Sequence, residues 1–323
     1  MKNKKLSYYI SEFLISYLKQ RRNYSDNTIK SYRETIKLFL EYNIKINNKN
    51  INNINFESLN QKNVNSFINY IETKGSSINT QNQRLACIKS LCKYILEYDI
   101  TYLDQLTSIL NIKQKKYTPT QINFLNEKEI KDILSKPSTS CKKGIKELLI
   151  LTLLYDAALR ISELINLKRS DINFGKLSTI TIKESKCNKT RTIPISNNTA
   201  DLIKQYIDIS SENIYLLESN QKKQYTSNGI RKIIFKYTKN MRFKVNSHTF
   251  RHSKASHMLE SGIPLIYIRD FLGHESITTT EIYAKVNNKI RDKNIIDNSA
   301  NLNIPIKYDI DNDKNLLDML KSL

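Results

Sequence analysis

The chain has 323 residues, of which 39% are hydrophobic, which is enough for two domains with packed cores and excludes a wholly disordered protein. Lysine and arginine number 52 against 31 acidic residues, and the formal net charge of +21 favours a polyanionic partner. No apolar run approaches the roughly 20 residues that cross a bilayer, no signal peptide pattern is present, and the four cysteines lack CxxC spacing. We therefore expect a cytoplasmic, nucleoid-associated protein with reduced thiols and no zinc site.

The positive charge is spread along the chain. Residues 1–115 hold 18 basic and 9 acidic side chains, and the remaining residues hold 34 and 22. Two basic halves indicate a protein that holds nucleic acid from two sides. The alternative is a lysine-rich composition without functional need, since Asn, Ile and Lys are all abundant.

The first half has the pattern of a small helical domain. Apolar residues at helical spacing predict four helices, which begin near Leu6, after Ser25, after Asn60 and near Thr80. Four short helices in about 100 residues are typical of an all-α domain, which we place at 1–106.

The segment 107–122 is basic and interrupted by proline, which predicts a linker to a second domain over 123–300. Asn126 followed by Glu129 has the pattern of a capping box that starts a helix. The apolar run 145–159 predicts a buried helix.

A small β element is predicted within the otherwise helical second domain. Two β-branched runs, 179–183 and 191–195, predict a hairpin with Lys186 near its turn. Further helices are predicted at about 197–208, 227–239, 248–260, 264–272 and 278–290. The tail, 301–323, is polar up to the apolar patch 316–323, which predicts a short helix. The fold class is therefore mainly α with a small β-hairpin or sheet.

Six residues of the second half carry the candidate chemistry. They follow in chain order, each in a distinct context: Arg160 in ALRISEL, Lys186 in SKCNKTR, His248 and Arg251 in HTFRH, His274 in LGHE and Tyr283 in TTEIY. Two guanidiniums, an ammonium, two imidazoles and a phenol suit a phosphodiester that a tyrosine attacks. The set has no accompanying carboxylate cluster or GxxxxGK[ST] loop, so we expect neither a metal nor any other cofactor.

On these six contexts the second half resembles the catalytic domain of the tyrosine recombinase (phage integrase-like) family, close to its Xer-type and transposon-integrase branches. The first half resembles that family's helical core-binding domain, so the resemblance covers roughly residues 6–290. It implies an α+β catalytic domain that cuts and rejoins double-stranded DNA through a 3′-phosphotyrosyl link, without metal or ATP. It also implies a homo-tetramer on two synapsed recombination sites.

Arg160 and Arg251 are the candidate phosphate clamp, because a guanidinium offers paired donors and keeps its charge. Arg251 follows His248 by three residues, so the two side chains share a helix face. For Arg160 the alternative is a salt bridge to Glu163. His274 follows Gly273, a residue type that often ends a helix, and resembles the family's second histidine or tryptophan, which hydrogen-bonds the phosphate.

Tyr283 is the candidate nucleophile. A phenol with a pKa near 10 needs a cationic pocket or a base to react at neutral pH, and His248 is placed to relay its proton. Among 19 tyrosines, Tyr283 is selected by its family position nine residues after His274. Tyr237 and Tyr267 are expected in the core or facing DNA.

Lys186 resembles the family's hairpin lysine, which protonates the departing 5′ oxygen. Lys183 and Lys189 lie close by and leave this assignment open. The glycines that usually flank that lysine are replaced by Ser185 and Cys187, which puts the loop geometry in doubt.

His252 and His257 are expected to be structural.

Three alternatives stay open. A type IB topoisomerase-like or telomere-resolving enzyme shares the chemistry, and a catalytically inactive DNA-binding relative shares the scaffold. The apolar patch 316–323 is expected to dock into a neighbouring protomer or onto its own domain. The target DNA sequence, and the choice between integration, excision, resolution and inversion, do not follow from the sequence.

Overall fold

A computed structural model describes the residues 5–46, 54–117, 123–183, 190–210, 214–218, 223–274, 276, 280 and 321–322. The chain divides into two compact units, 1–120 and 121–323. Across the described ranges, none of the helices combines the length and hydropathy that spanning a membrane requires.

The described part of the first unit, 5–46 and 54–117, contains helices and no strand. Its elements are α1 (Leu6–Glu12), which continues as a π-helical segment (Phe13–Arg21), α2 (Asp26–Lys45), a 3₁₀ turn (Phe56–Ser58), α3 (Gln61–Thr73), α4 (Ile78–Leu96) and α5 (Leu103–Leu110). Ser25 and Asn60 cap α2 and α3 through their side-chain oxygens, as predicted. Phe13 and Phe67 are fully buried at the centre of its core.

Helix α5 was not predicted, and it occupies residues 107–110 of the predicted linker. Its eight residues are too few to form a stable helix alone. Leu106 and Ile109 are fully buried in the core of the first unit, so tertiary packing stabilises this helix. The predicted linker is therefore helical at its start, and the predicted domain limits stay predictions.

The second unit is helical around a small sheet. Its elements are α6 (Glu127–Ser135), α7 (Lys142–Asp156), α8 (Ile161–Asn166), a 3₁₀ turn (Arg169–Asp171), β1 (Ile172–Asn173), β2 (Thr179–Lys183), β3 (Thr190–Pro194), α9 (Asn197–Ile209), α10 (Ser227–Thr238), α11 (Ser247–Glu260) and α12 (Leu265–Leu272). The strands are antiparallel in the order β1-β2-β3, with Ile180 opposite Ile193. The fold class, mainly α with a small sheet, is confirmed.

The second unit differs from the predicted elements in three places. Helix α8 was not predicted. Helix α7 ends at Asp156 and not at Leu159, because Ala158 has a φ of +47°, which no right-handed helix contains. Strand β1 was missed, since two residues give no alternating pattern. The hairpin turn, the predicted helix 278–290 except Thr280, and nearly all of the patch 316–323 lie outside the described residues.

The end of α7 is tied to two other helices through Asp156. Its carboxylate accepts hydrogen bonds from the Ser196 amide at 3.2 Å, the Thr199 hydroxyl at 2.7 Å and the Lys254 ammonium at 3.0 Å. Burial alone would raise the pKa of Asp156, but Lys254 and these hydrogen bonds hold it below its usual value. Asp156 thus fixes the turn before Arg160 against α9 and α11.

We expect Asp156→Asn to lower the free energy of unfolding by about 2–3 kcal/mol, because it leaves Lys254 without its carboxylate and replaces one of the two acceptor oxygens by an amide NH₂ group, which is a donor. Urea denaturation measures the loss. The control is Asp201→Asn, whose ion pair with Lys204 is exposed and should contribute no more than about 0.5 kcal/mol. Equal losses in the two variants would contradict the role of Asp156.

Candidate active site

Among the described residues, Glu163 and Gly273 hold Arg160 through three hydrogen bonds. It lies in the turn between α7 and α8, where its backbone amide donates to Oε2 of Glu163 at 2.8 Å and its Nη1 donates to Oε1 at 2.7 Å. Its Nη2 donates to the carbonyl of Gly273 at 2.9 Å. The salt bridge to Glu163, considered as an alternative role, is therefore present. The Arg160 side chain is nevertheless 33% exposed, so solvent reaches part of it.

Arg251 is the buried member of the pair, with 4% of its surface exposed. From α11 its Nη1 donates to the carbonyl of Ala158 at 2.8 Å, and its Nη2 donates to the carbonyl of Leu272. The two arginines thus bind the carbonyls of two consecutive residues, Leu272 and Gly273. A helix C-terminus presents such unpaired carbonyls and a partial negative charge, so both guanidiniums are drawn to the end of α12.

His248 and His274 lie in the positive field of these arginines. His274 follows Gly273, which ends α12 with a φ of +63°, and its Nδ1 is 3.0 Å from the hydroxyl of Thr280. Loss of hydration, followed by the charges of Arg251 and Arg160, lowers the pKa of His274 to about 4. The same causes in the same order lower the pKa of His248. A neutral imidazole can accept a proton or a hydrogen bond at neutral pH.

The remaining predicted residues differ in how far the structure describes them. Lys186 and Tyr283 lie outside the described residues, so their places in the site stay predictions. His257 is buried, with its Nδ1 2.9 Å from the hydroxyl of Tyr155. Burial also lowers the pKa of His252 to about 4.

Tyr237 and Tyr267, which were expected in the core or facing DNA, have different surroundings. Tyr237 donates its hydroxyl to Glu147, whereas Tyr267 on α12 is 63% exposed. Neither contacts the two arginines through a described hydrogen bond.

Two residues of the cluster received no catalytic assignment from the sequence. Glu163 was considered only as an ion-pair partner, yet its side chain is 9% exposed and accepts from Arg191 as well, with Nη2 of Arg191 2.9 Å from its Oε2. Arg191 is 12% exposed. The sequence signal for a buried Arg191 was the alternation of side chains along β3. This alternation places Arg191 on the same strand face as the buried Ile193.

The chemistry of the described site is that of an oxyanion pocket. Fixed guanidiniums stabilise charge that develops on oxygen without having to reorganise, and neutral imidazoles add donors and acceptors. Within the ranges that the structure covers, no three His, Cys, Asp or Glu residues come together in a way that would hold a metal ion.

Comparison with known proteins agrees with this geometry. The sequence profile described as the phage integrase family matches residues 123–289, more than half of the chain. The profile described as the phage integrase N-terminal SAM-like domain matches residues 12–102.

Relatives match most of the chain. The tyrosine recombinase XerA of Pyrococcus horikoshii is 34% identical over 227 residues, which cover 69% of this chain and 75% of the relative. The tyrosine recombinase XerC of Staphylococcus carnosus is 25% identical over 287 residues, 87% of this chain and 93% of the relative.

Solved structures share the fold. The Tn1549 transposon integrase in complex with transposon right-end DNA superposes with a TM-score of 0.68 at 16% identity, covering 90% of this chain and 99% of that chain. The XerH recombinase bound to difH substrate superposes with a TM-score of 0.66 at 21% identity, covering 88% and 84%.

We expect His274 to titrate with a midpoint near pH 4 in the DNA-free protein, well below the usual 6.5, because loss of hydration and two nearby arginines penalise the imidazolium. The unfolded chain takes up this proton first on acidification, so His274 should contribute to a loss of stability as the pH falls from 6.5 toward 4. NMR of the imidazole protons measures the midpoint. A value near 6.5 would mean that His274 is neither shielded from water nor close to the arginines.

We expect Gly273→Ala to displace Arg191, because a methyl group there would lie 2.6 Å from its Nη1. The matched control is Gly262→Ala, which has a similar positive φ but no atom within 4 Å of the added methyl. Both variants should lose roughly 1–2 kcal/mol for the left-handed backbone, and Gly273→Ala should lose more. Thermal unfolding compares them, and equal losses would mean that Arg191 does not pack on Gly273.

Proposed function

The chain belongs to the phage integrase family, and we propose that Tyr283 is the nucleophile of its DNA strand cleavage, with Arg160 and Arg251 holding the scissile phosphate. The protein is a site-specific DNA recombinase that cleaves and rejoins strands. The observation that carries the residue assignment is that both guanidiniums meet at the end of α12, directly before His274.

The proposed reaction exchanges one phosphoester for another. The phenolic oxygen of Tyr283 attacks phosphorus, the bond to the 5′ oxygen breaks, and the products are a 3′-phosphotyrosyl link and a free 5′-hydroxyl. The hydroxyl of a partner strand then attacks the same phosphorus and releases the tyrosine. Because the phosphotyrosyl link conserves the energy of the cleaved strand, the cycle needs no ATP.

The arginines act on the charge of the transition state. A pentavalent phosphorus places more negative charge on its non-bridging oxygens than the ground state does, and charge-assisted bonds from Arg160 and Arg251 strengthen as this charge grows. Arg251 is the rigid member, because it is buried and bound to two carbonyls. Arg160, one-third exposed, would complete the clamp when DNA arrives.

Two residues are proposed to transfer protons, one from the attacking tyrosine and one to the leaving oxygen. His248, whose lowered pKa keeps it neutral at pH 7, would take the proton of Tyr283. His274 would hydrogen-bond a non-bridging oxygen. Lys186 would protonate the departing 5′ oxygen, for which a mobile ammonium is suited.

The proposed partner is double-stranded DNA that carries recombination sites. Related structures are described as XerH on difH substrate and as a lambda integrase dimer on a core site. The net charge of +21 supports the same kind of partner for this chain. A homo-tetramer on two synapsed sites, in the cytoplasm at the nucleoid, is the proposed assembly.

The test is covalent capture. Purified protein is incubated in EDTA with a pool of nicked duplexes that share a randomised centre, and adducts that survive denaturation are sequenced. Wild type should form adducts, Tyr283→Phe should form none because the attacking oxygen is gone, and the control Tyr267→Phe, which removes an exposed hydroxyl on α12, should retain them. Equal adducts with Tyr283→Phe would disprove the nucleophile.

The same adduct-forming duplexes separate the related activities. A recombinase should exchange strands between two copies of the selected site, whereas a type IB topoisomerase-like enzyme would relax a supercoiled plasmid without a second site. Absence of any adduct from wild type would contradict cleavage by this chain.

A further inference from the structure

Glu163 is shared by two arginines from different elements. Its Oε1 accepts from Arg160 Nη1 at 2.7 Å, and its Oε2 accepts from the Arg160 amide at 2.8 Å and from Arg191 Nη2 at 2.9 Å. Two guanidiniums with one carboxylate give the trio Arg160–Glu163–Arg191 a net charge of +1. The carboxylate is nearly buried, with 9% of its side chain exposed, so water weakens these interactions little.

The sharing matters for Arg160. A buried carboxylate paired with Arg160 alone would offset the charge that the phosphate needs. Arg191 competes for the same carboxylate and supplies the second positive charge. Both arginines contribute to the lowered pKa of Glu163, against the effect of its burial, which would raise it.

Arg191 also contacts the second anchor of Arg160. Its guanidinium packs so closely on Gly273 that a methyl group there would lie 2.9 Å from its Cζ, and the Gly273 carbonyl accepts from Arg160 Nη2. Arg191 therefore packs against both residues that orient the Arg160 side chain. It reaches them from β3, the strand that follows the hairpin turn.

We propose that Arg191 is a positioning residue for DNA cleavage, which keeps Glu163 from neutralising Arg160 and so leaves the Arg160 guanidinium available to the scissile phosphate. The proposal rests on the proposed function, because it needs Arg160 to bind that phosphate. It differs from a purely structural role in that it acts through charge on the reacting phosphate.

The test measures single-turnover cleavage of a duplex selected by covalent capture, made with three scissile groups. One is the natural phosphodiester. The second is a methylphosphonate, which lacks the negative charge, and the third is a 5′-bridging phosphorothiolate, whose sulfur leaves without a proton. The variants are Arg191→Met and Arg191→Lys. The control is Arg242→Met, which removes an exposed arginine that also pairs with a glutamate, Glu129.

We expect Arg191→Met to slow cleavage of the phosphodiester by about 10²-fold, the scale of losing one transition-state donor. Most of this loss should disappear on the methylphosphonate and persist on the phosphorothiolate. Arg191→Lys should keep most of the rate because it keeps the charge, and Arg242→Met should cleave like wild type.

The outcomes separate the proposals. If wild type forms no adduct, the proposed function fails. If wild type cleaves and Arg191→Met either cleaves equally well or is slowed by the same factor on all three groups, the positioning role fails. Rescue by the phosphorothiolate would also overturn it, because the defect would then lie in protonation of the leaving group by Lys186.

A second variant pair covers the case in which Arg191→Met does not fold. Removing the carboxylate makes the compensating charge unnecessary, so Glu163→Gln combined with Arg191→Met should cleave at nearly the rate of Glu163→Gln alone. Urea unfolding confirms that each variant is folded before its rate is compared. A further large loss in the double variant would overturn the charge-sharing role.

Discussion

The second unit is organised around two guanidiniums that bind the carbonyls of Leu272 and Gly273 at the end of α12. Placing a guanidinium in a protein interior is costly unless its donors are satisfied. Backbone carbonyls satisfy Arg251 without cancelling its charge, whereas a carboxylate would have cancelled it. The site therefore keeps positive charge in a nearly buried position. Loss of hydration first, and then this positive charge, lowers the pKa values of His248 and His274.

Local signals in the sequence predicted local structure well. The caps Ser25, Asn60 and Asn126 were identified because a capping side chain bonds an amide two or three residues away. Helix α5 was not predicted because its stability comes from the burial of Leu106 and Ile109. The sequence of so short a segment does not indicate that burial. The early end of α7 was not predicted for a similar reason, since the carbonyl of Ala158 accepts from the side chain of Arg251, 93 residues away.

The site was predictable in its residue types and less so in its connections. The contexts of Arg160, His248, Arg251 and His274 identified them from the sequence, and the structure brings these four to one place. The contact of Arg160 with Gly273 spans 113 residues, and that of Arg191 with Glu163 spans 28. Such contacts depend on how helices and sheet pack, so no periodicity within one element indicates them.

The close packing of Arg191 on Gly273 also limits how this protein can change during evolution. A side chain at position 273 would displace the guanidinium of Arg191, because the added Cβ would lie within 3 Å of it. A shorter residue at 191 would relieve the overlap but would leave Glu163 with a single positive partner. The effect of a substitution at 163, 191 or 273 should therefore depend on the residues at the other two positions. The three positions are coupled by contact, although they lie on three separate segments of the chain.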